Sequence, residues 1–307
     1  MKIQHLQLLL KLSEAGSLRA AAEQMHVTQP ALTKALRQLE DEFGVQLVLR
    51  SAKGVRLTPV GEMLSARAAS VMREIERAHE EVRWHSQPVS GEVQLGVSPV
   101  AGILLTPGTV ARFNTRWPQL RLHLVDTLYP RSMVQIRSGE LDVVVGPIPD
   151  EGLGRDVTAR PLMGTQDVIV ARHDHPLAGA RHLEALADAS WVLTGPTGGP
   201  GDPRHLQLES RGLPSARIQL TCESFSVLLA LLPTLDCVAV MPRAFVERYG
   251  QRMGLAALPI EDALPQTMVH LITSAQRPLT VPAQYLIEAL VQEARDLQVG
   301  LAAASTP

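Results

Sequence analysis

The stretch TQPALTKALRQLE, residues 28–40, sorts its side chains by chemistry: Thr28, Gln29, Pro30, Thr33, Lys34 and Arg37 alternate with Leu32, Leu36 and Leu39. At helical spacing the leucines form one stripe, and the amide, hydroxyl and cationic groups crowd the opening turns of the opposite face. That combination suits a polyanion whose bases can be read. The Gln29 amide matches adenine in bidentate fashion, Pro30 and the Thr33 methyl suit thymine methyls, and Lys34 reaches guanine or phosphate. The Thr28 hydroxyl at a helix N-terminus suits a phosphate oxygen, and Arg37, one turn on, suits the backbone. Lys53, at the tip of the following SAKG turn, suits a phosphate or the minor groove.

Other reactive groups carry less. Cys222 and Cys237 fall on expected core strands either side of a helix, with no cations around them to lower a thiol pKa. His173-Asp174-His175 runs into Pro176-Leu177, a turn, and no metal is expected there. The loop GPTGGPGD (195–202) is glycine-rich but lacks the G-x-x-x-x-G-K-[ST] spacing of a phosphate loop. No catalytic triad, acid pair or cofactor fingerprint survives inspection, so the chain reads as a non-enzyme without a cofactor.

The elements that position the polar face follow from short-range signals. A helix is expected over 2–15, stopped by Gly16. Ser17 caps a second at 18–25, and after His26-Val27 the residue Thr28 caps a third at about 29–43, with Pro30 in its first turn. Two helices joined by three residues, with Ala20, Ala21 and Ala22 allowing close approach, form a helix-turn-helix. VQLVLR and GVRLT form a basic hairpin after it, a wing, in which Arg50 and Arg56 face a choice between DNA and Glu40, Asp41 or Glu42. From Pro59 to about His85 the positions Leu64, Ala68, Val71, Ile75, Ala78 and Val82 alternate by four and three, a coiled-coil seam suited to a dimer. QPVSG (87–91) breaks the helix.

Beyond that break strands and helices alternate: EVQLGV, a helix near 104–116, LRLHLV, a helix near 131–138, LDVVVG, QDVIVA, a helix near 182–187, SWVLT, a helix near 204–211, RIQLTC, a helix near 225–232, CVAVM, a helix near 243–249, TMVHLIT and a helix near 282–297. The pattern predicts α/β architecture with mostly parallel sheets.

Bulk composition agrees. At 307 residues the chain exceeds a typical domain, and 45% hydrophobic residues against 3% aromatics predict aliphatic cores. Residues 1–58 hold eight Lys/Arg against five Asp/Glu, net +3, which leaves −5 of the overall −2 for the rest. A basic head on an acidic body directs a polyanion to one end. Two cysteines fit a reducing, cytoplasmic setting, and no apolar run is long enough to span a membrane.

Ser17-Leu18-Arg19-Ala20-Ala21-Ala22, then Thr28-Gln29-Pro30-Ala31-Leu32-Thr33, Leu39-Glu40 and Leu57-Thr58-Pro59-Val60-Gly61 together resemble the N-terminal signature of the LysR-type transcriptional regulators. That signature runs S-x-x-x-A-A, S-Q-P-A-x-S, L-E and L-T-x-x-G. Thr28 and Thr33 replace two serines and keep the hydroxyl, and Leu49 stands where many members have Phe. The resemblance implies a winged helix-turn-helix (1–58), a linker and dimerisation helix (59–86), a hinge (87–90) and a two-lobed, periplasmic-binding-protein-like α/β effector domain. Lobe I would be 91–161 plus 268–300 and lobe II 162–267, with crossings at GPIPDEG (146–152) and LPQTM (264–268). It also implies a bacterial regulator bound to promoter DNA, a homodimer assembling to a homotetramer, and RNA polymerase as an admissible partner. A small organic effector with an anionic group is expected at strand carboxyl ends in the cleft. That rule selects Ser98, Pro99, Val100, Thr127, Leu128, Pro147, Thr197, Gly198, Gly199 and Phe225.

Overall fold

A computed structural model describes residues 1–51, 54–84, 91–149, 152–199 and 201–304. Lys53 and the hinge segment 87–90 lie outside them. The chain divides into two compact units, the first built on Met1–Gly91 and the second on residues from Glu92 onward.

In the first unit α1 (Ile3–Ala15), α2 (Leu18–Gln24) and α3 (Gln29–Phe43) are followed by β1 (Val48–Ser51), β2 (Gly54–Leu57) and α4 (Pro59–Trp84). The capping signals act as the side chains dictate. Ser17 Oγ accepts from the Ala20 amide at 3.1 Å and Thr28 Oγ1 from the Ala31 amide at 3.4 Å. Gly16 and Gly44 end their helices at φ 63° and 66°, a conformation that costs a side chain more than a hydrogen. Leu9, Leu12, Ala21, Leu32, Leu36, Leu39 and Leu47 form the core. Burying each leucine contributes about 1.5–3 kcal/mol.

The L-E and L-T-x-x-G motifs are scaffolding. Glu40 Oε1 accepts the amides of Leu47 and Val48 at 2.8 and 3.2 Å, which turns the chain into β1. Its carboxylate is therefore spent on the backbone and not on Arg50 or Arg56, and neither arginine forms an ion pair among the described residues. Thr58 donates its amide to Leu47 O and its hydroxyl to Gln46 O, and Oγ1 accepts from the Gly61 amide at 3.0 Å, capping α4.

In the second unit β3 (Glu92–Val97), α5 (Pro99–Arg116), β4 (Arg121–Asp126), α6 (Arg131–Ser138) and β5 (Val143–Gly146) precede β6 (Val157–Arg172). Then come β7 (Ser190–Thr194), β8 (Arg217–Cys222), α7 (Phe225–Leu231), β9 (Cys237–Pro242), α8 (Arg243–Phe245), β10 (Leu255–Ala257), β11 (Gln266–Ser274) and α9 (Val281–Ala304). The strands run in the order β4-β3-β5-β11-β6-β9-β7-β8, with β10 paired to β6.

The expectation of mostly parallel pairing is corrected. The parallel pairs are β3 with β4 and β5, and β7 with β8 and β9. The pairs made by β6 and β11 are antiparallel. β6 and β11 are the two longest strands of this sheet and pair with each other along their length. Their ladder slips at Val269/His270, opposite Met163 and Pro161, where proline cannot donate to it.

The helix expected near 104–116 begins at Pro99, whose missing amide costs nothing at a first turn. The segments near 182–187 and 204–211 are 3-10 turns, and α8 continues as a π turn over Val246–Gly250. In the second lobe Val168, Val170, Ala239 and Met241 belong to one core and Ile169, Ala171, Val238 and Val240 to another. Successive side chains point to opposite faces and both faces are covered, which explains unbroken apolar runs.

Candidate nucleic-acid interface and effector cavity

The exposed start of α3 presents Gln29, Pro30, Thr33, Lys34 and Arg37 around one shallow depression. The three buried leucines on the opposite face fix the rotation of the helix and aim these groups outward. Lys34 and Arg37 form no ion pair among the described residues. The turn before α3 places His26 at φ 54° and bonds Val27 N–H to Ala22 O at 3.0 Å, which holds α2 and α3 at a short separation.

On α4 the seam divides. Leu64 packs against the core of its own unit and Ala68 is buried within the single chain. Val71 and Val82, the latter 71% exposed, stand open, with Ala78 exposed and Ile75 half-buried between them. The part of the seam accessible to a second chain therefore starts at Val71.

The second unit holds a largely apolar cavity. Ser98, Pro99, Val100, Leu128, Pro147 and Phe225 line it, six of the ten residues selected at strand ends. Backbone bonds set these ends: the Ser98 amide donates to Val145 O at 2.8 Å and the Thr127 amide to Val97 O at 2.9 Å. Ser98 starts α5 with its hydroxyl making no cap bond, so the first-turn amides and that hydroxyl remain for another acceptor. Thr127 is not on the lining: it is buried, and its hydroxyl donates to Gln135 Oε1 at 2.8 Å.

Thr197, Gly198 and Gly199 are also absent from the lining, where Gly195 and Gly201 stand instead. The loop closes on Asp202, which accepts the Gly198 amide at 2.8 Å and the Arg204 amide at 3.0 Å. Burial would raise the Asp202 carboxyl, but its hydrogen bonds from Arg204 and Gly198 outweigh that and hold it below the usual range. The glycine-rich loop thus serves its own aspartate.

Polar lining residues inside strands escaped strand-end reasoning: Thr165 and Asp167 on β6 and Thr267 on β11, with Thr194 at the last position of β7. Asp167 is 4% exposed, and burial pushes its carboxyl up to about 6 against a hydrogen bond from Thr267 Oγ1 (2.8 Å) and the nearby charge of His205. The one available signal was a charged residue inside the apolar run QDVIVA.

Cys222 also lines the cavity, with its thiol donating to Ser224 O at 3.3 Å. Burial, then the charge of Asp236, pushes the Cys237 thiol up, away from a reactive thiolate. His175 Nδ1 accepts the Leu177 amide at 3.0 Å and Asp174 pairs with Arg172, so the turn uses these groups itself.

Residues 3–62 match the family of bacterial regulatory helix-turn-helix proteins of the lysR type, and residues 86–295 match the LysR substrate binding domain. The chain is 28% identical over 287 residues to the HTH-type transcriptional regulator TdcA of Escherichia coli (strain K12), covering 94% of this chain and 91% of TdcA. It is 26% identical to PcaQ of Agrobacterium fabrum, covering 96% of each. Among solved structures, it is similar to CbnR, a LysR family transcriptional regulator (TM-score 0.69, 18% identity, 96% of this chain and 99% of CbnR). It is also similar to a full-length OxyR variant from Pseudomonas aeruginosa (TM-score 0.66, 24% identity, 96% and 95%). No helix among the described residues is long and apolar enough to cross a membrane.

Proposed function

The chain belongs to the LysR family of DNA-binding, effector-responsive transcriptional regulators, and from that premise we propose which residues carry its two activities. Thr28, Gln29, Pro30, Thr33, Lys34 and Arg37 enter the major groove of promoter DNA, and Lys53 of the wing holds an adjacent phosphate or the minor groove. The observation that carries this reading is the outward patch of amide, hydroxyl and cationic groups at the start of α3. Gln29 supplies base reading and the cations supply salt-dependent affinity.

One such module reads few base pairs, so two are joined. Val71, Ile75, Ala78 and Val82 pair α4 with its copy in a dimer, Leu64 and Ala68 support the helix from within, and two dimers form a tetramer on the promoter within reach of RNA polymerase. The effector, a small organic molecule with an anionic group, occupies the cavity with that group at the start of α5. Its differential affinity for two lobe arrangements shifts their populations and changes how the assembly holds DNA.

Gln29→Ala should lower discrimination between the operator and a one-base variant by about 1–3 kcal/mol per lost reading. Fluorescence anisotropy on both duplexes measures it, and an equal loss on every sequence would remove Gln29 from base reading. Ile75→Lys should dissociate the dimer, because a charge at the centre of the open seam loses its hydration on pairing. Sedimentation of a still dimeric variant would show that the chains pair elsewhere.

A further inference from the structure

The effector cavity is chemically two-ended. At one end α5, an 18-residue helix, presents Ser98, Pro99, Val100 and Ala101 to the cavity. Ser98 is buried and its hydroxyl is uncommitted within the helix cap. Such an end attracts negative charge.

The other end does the opposite. Met163, Thr165 and Asp167 alternate along β6 and share a face, and Thr267 and Val269 join them from β11. Asp167 is buried, and only its Oδ2 has a donor, the Thr267 hydroxyl. Oδ1 has none among the described residues. Thr165 is 8% exposed, and its Oγ1 is buried with no hydrogen-bond partner among the described residues. An acceptor and a hydroxyl left unmatched on one buried face cost stability until a ligand supplies donors.

The remaining charged side chain on the lining, Glu223, is also acidic, and Lys, Arg and His are absent from the lining. A ligand with negative charge alone would meet one favourable end and two carboxyl groups. A ligand with charges of both signs satisfies both ends. The rest of the lining is largely aliphatic, with Leu104, Leu128 and Leu228 in it.

We propose that the effector is a zwitterion of the aliphatic α-amino-acid class, its carboxylate at the start of α5 and its ammonium group at Asp167 and Thr165. This rests on the cavity being the effector site and revises the expectation of a simply anionic ligand. The ammonium group donates to Asp167 Oδ1 and to Thr165 Oγ1, and the side chain lies on the aliphatic walls. Asp167 and Thr165 are then specificity-determining: they separate an amino acid from the organic acid of the same skeleton.

The test is calorimetric titration of the full chain with alanine, 2-aminobutyrate, valine and leucine, each beside its deaminated acid and its decarboxylated amine. For valine these are isovalerate and isobutylamine. An amino acid should bind at least roughly tenfold more tightly than either fragment, the effect of one charge-assisted hydrogen bond. Asp167→Asn should erase the preference over the acid, and Thr165→Val should reduce it. Equal binding of acid and amino acid, a preference that survives Asp167→Asn, or no binding of any amino acid would each overturn the zwitterion and leave the cavity open to another class. Amino-acid binding unchanged in the cavity-filling variant Leu128→Trp would overturn the cavity reading as well.

Discussion

Replacing Gly61 with valine should unfold the first unit and abolish DNA binding. A Cβ built on Gly61 lies 2.1 Å from the carbonyl oxygen of Leu47 and 3.3 Å from Leu57 Cβ. The obstacle is backbone, so no rotamer change relieves it. That same carbonyl accepts the Thr58 amide at 2.9 Å, the bond that seats the start of α4 behind the wing. Moving Leu47 would disturb a fully buried core residue and the two amides that Glu40 anchors. The expected cost exceeds about 4 kcal/mol, in the range reserved for strained or overpacked sites. Thermal unfolding of the full chain, followed by circular dichroism, would show the loss, and alanine at 61 should already lower the melting temperature. A valine variant with unchanged melting and operator binding would mean that α4 approaches the wing less closely than 2.1 Å implies.

Asp167→Asn should stabilise the second unit at neutral pH and do nothing near pH 4. The folded chain holds this carboxyl at about 6, with burial as the main cause, whereas the unfolded chain releases the proton near 3.8. The folded state therefore binds the extra proton between these values. Its contribution is complete below about pH 3.8 and is lost as pH rises through about 6. Above that window the buried carboxylate costs about 3 kcal/mol, from roughly two pKa units at 1.36 kcal/mol each. Asparagine keeps the shape and an acceptor for Thr267 and has no charge to bury. Thermal unfolding of both proteins at pH 4 and pH 8 measures the difference, expected as a gain of roughly 6–12 °C at the higher pH for a unit of this size. The same gain at both pH values would trace it to packing instead of ionisation. A site that costs stability in the free protein and is relieved by a ligand is one place where binding and stability pull apart.

The first unit is legible in the chain because its signals are local. A hydroxyl at Ser17 or Thr28 reaches an amide three residues on, Gly16 and Gly44 admit a left-handed turn, and Leu32, Leu36 and Leu39 fall on one stripe at helical period. Each acts within about one helical turn, so element positions and the outward face of α3 follow from neighbouring residues. The strands of the second unit are equally plain as apolar runs, but such runs carry no sign of direction, and the antiparallel β6–β11 ladder could not be told from a parallel one.

The cavity depended on folding across long separations. Rules about strand ends reached Ser98, Leu128, Pro147 and Phe225, which line the cavity, because each lies within three residues of the end of a strand. They missed Asp167 because it lies within a strand, and its hydrogen bond to Thr267 spans 100 residues of chain. They overvalued Thr197–Gly199 because a glycine loop looks the same on paper whether its amides face a ligand or its own Asp202. Local periodicity sets what each segment becomes; burial and charge at a site are sums over segments that meet only when the sheet closes, and so they required the assembled fold.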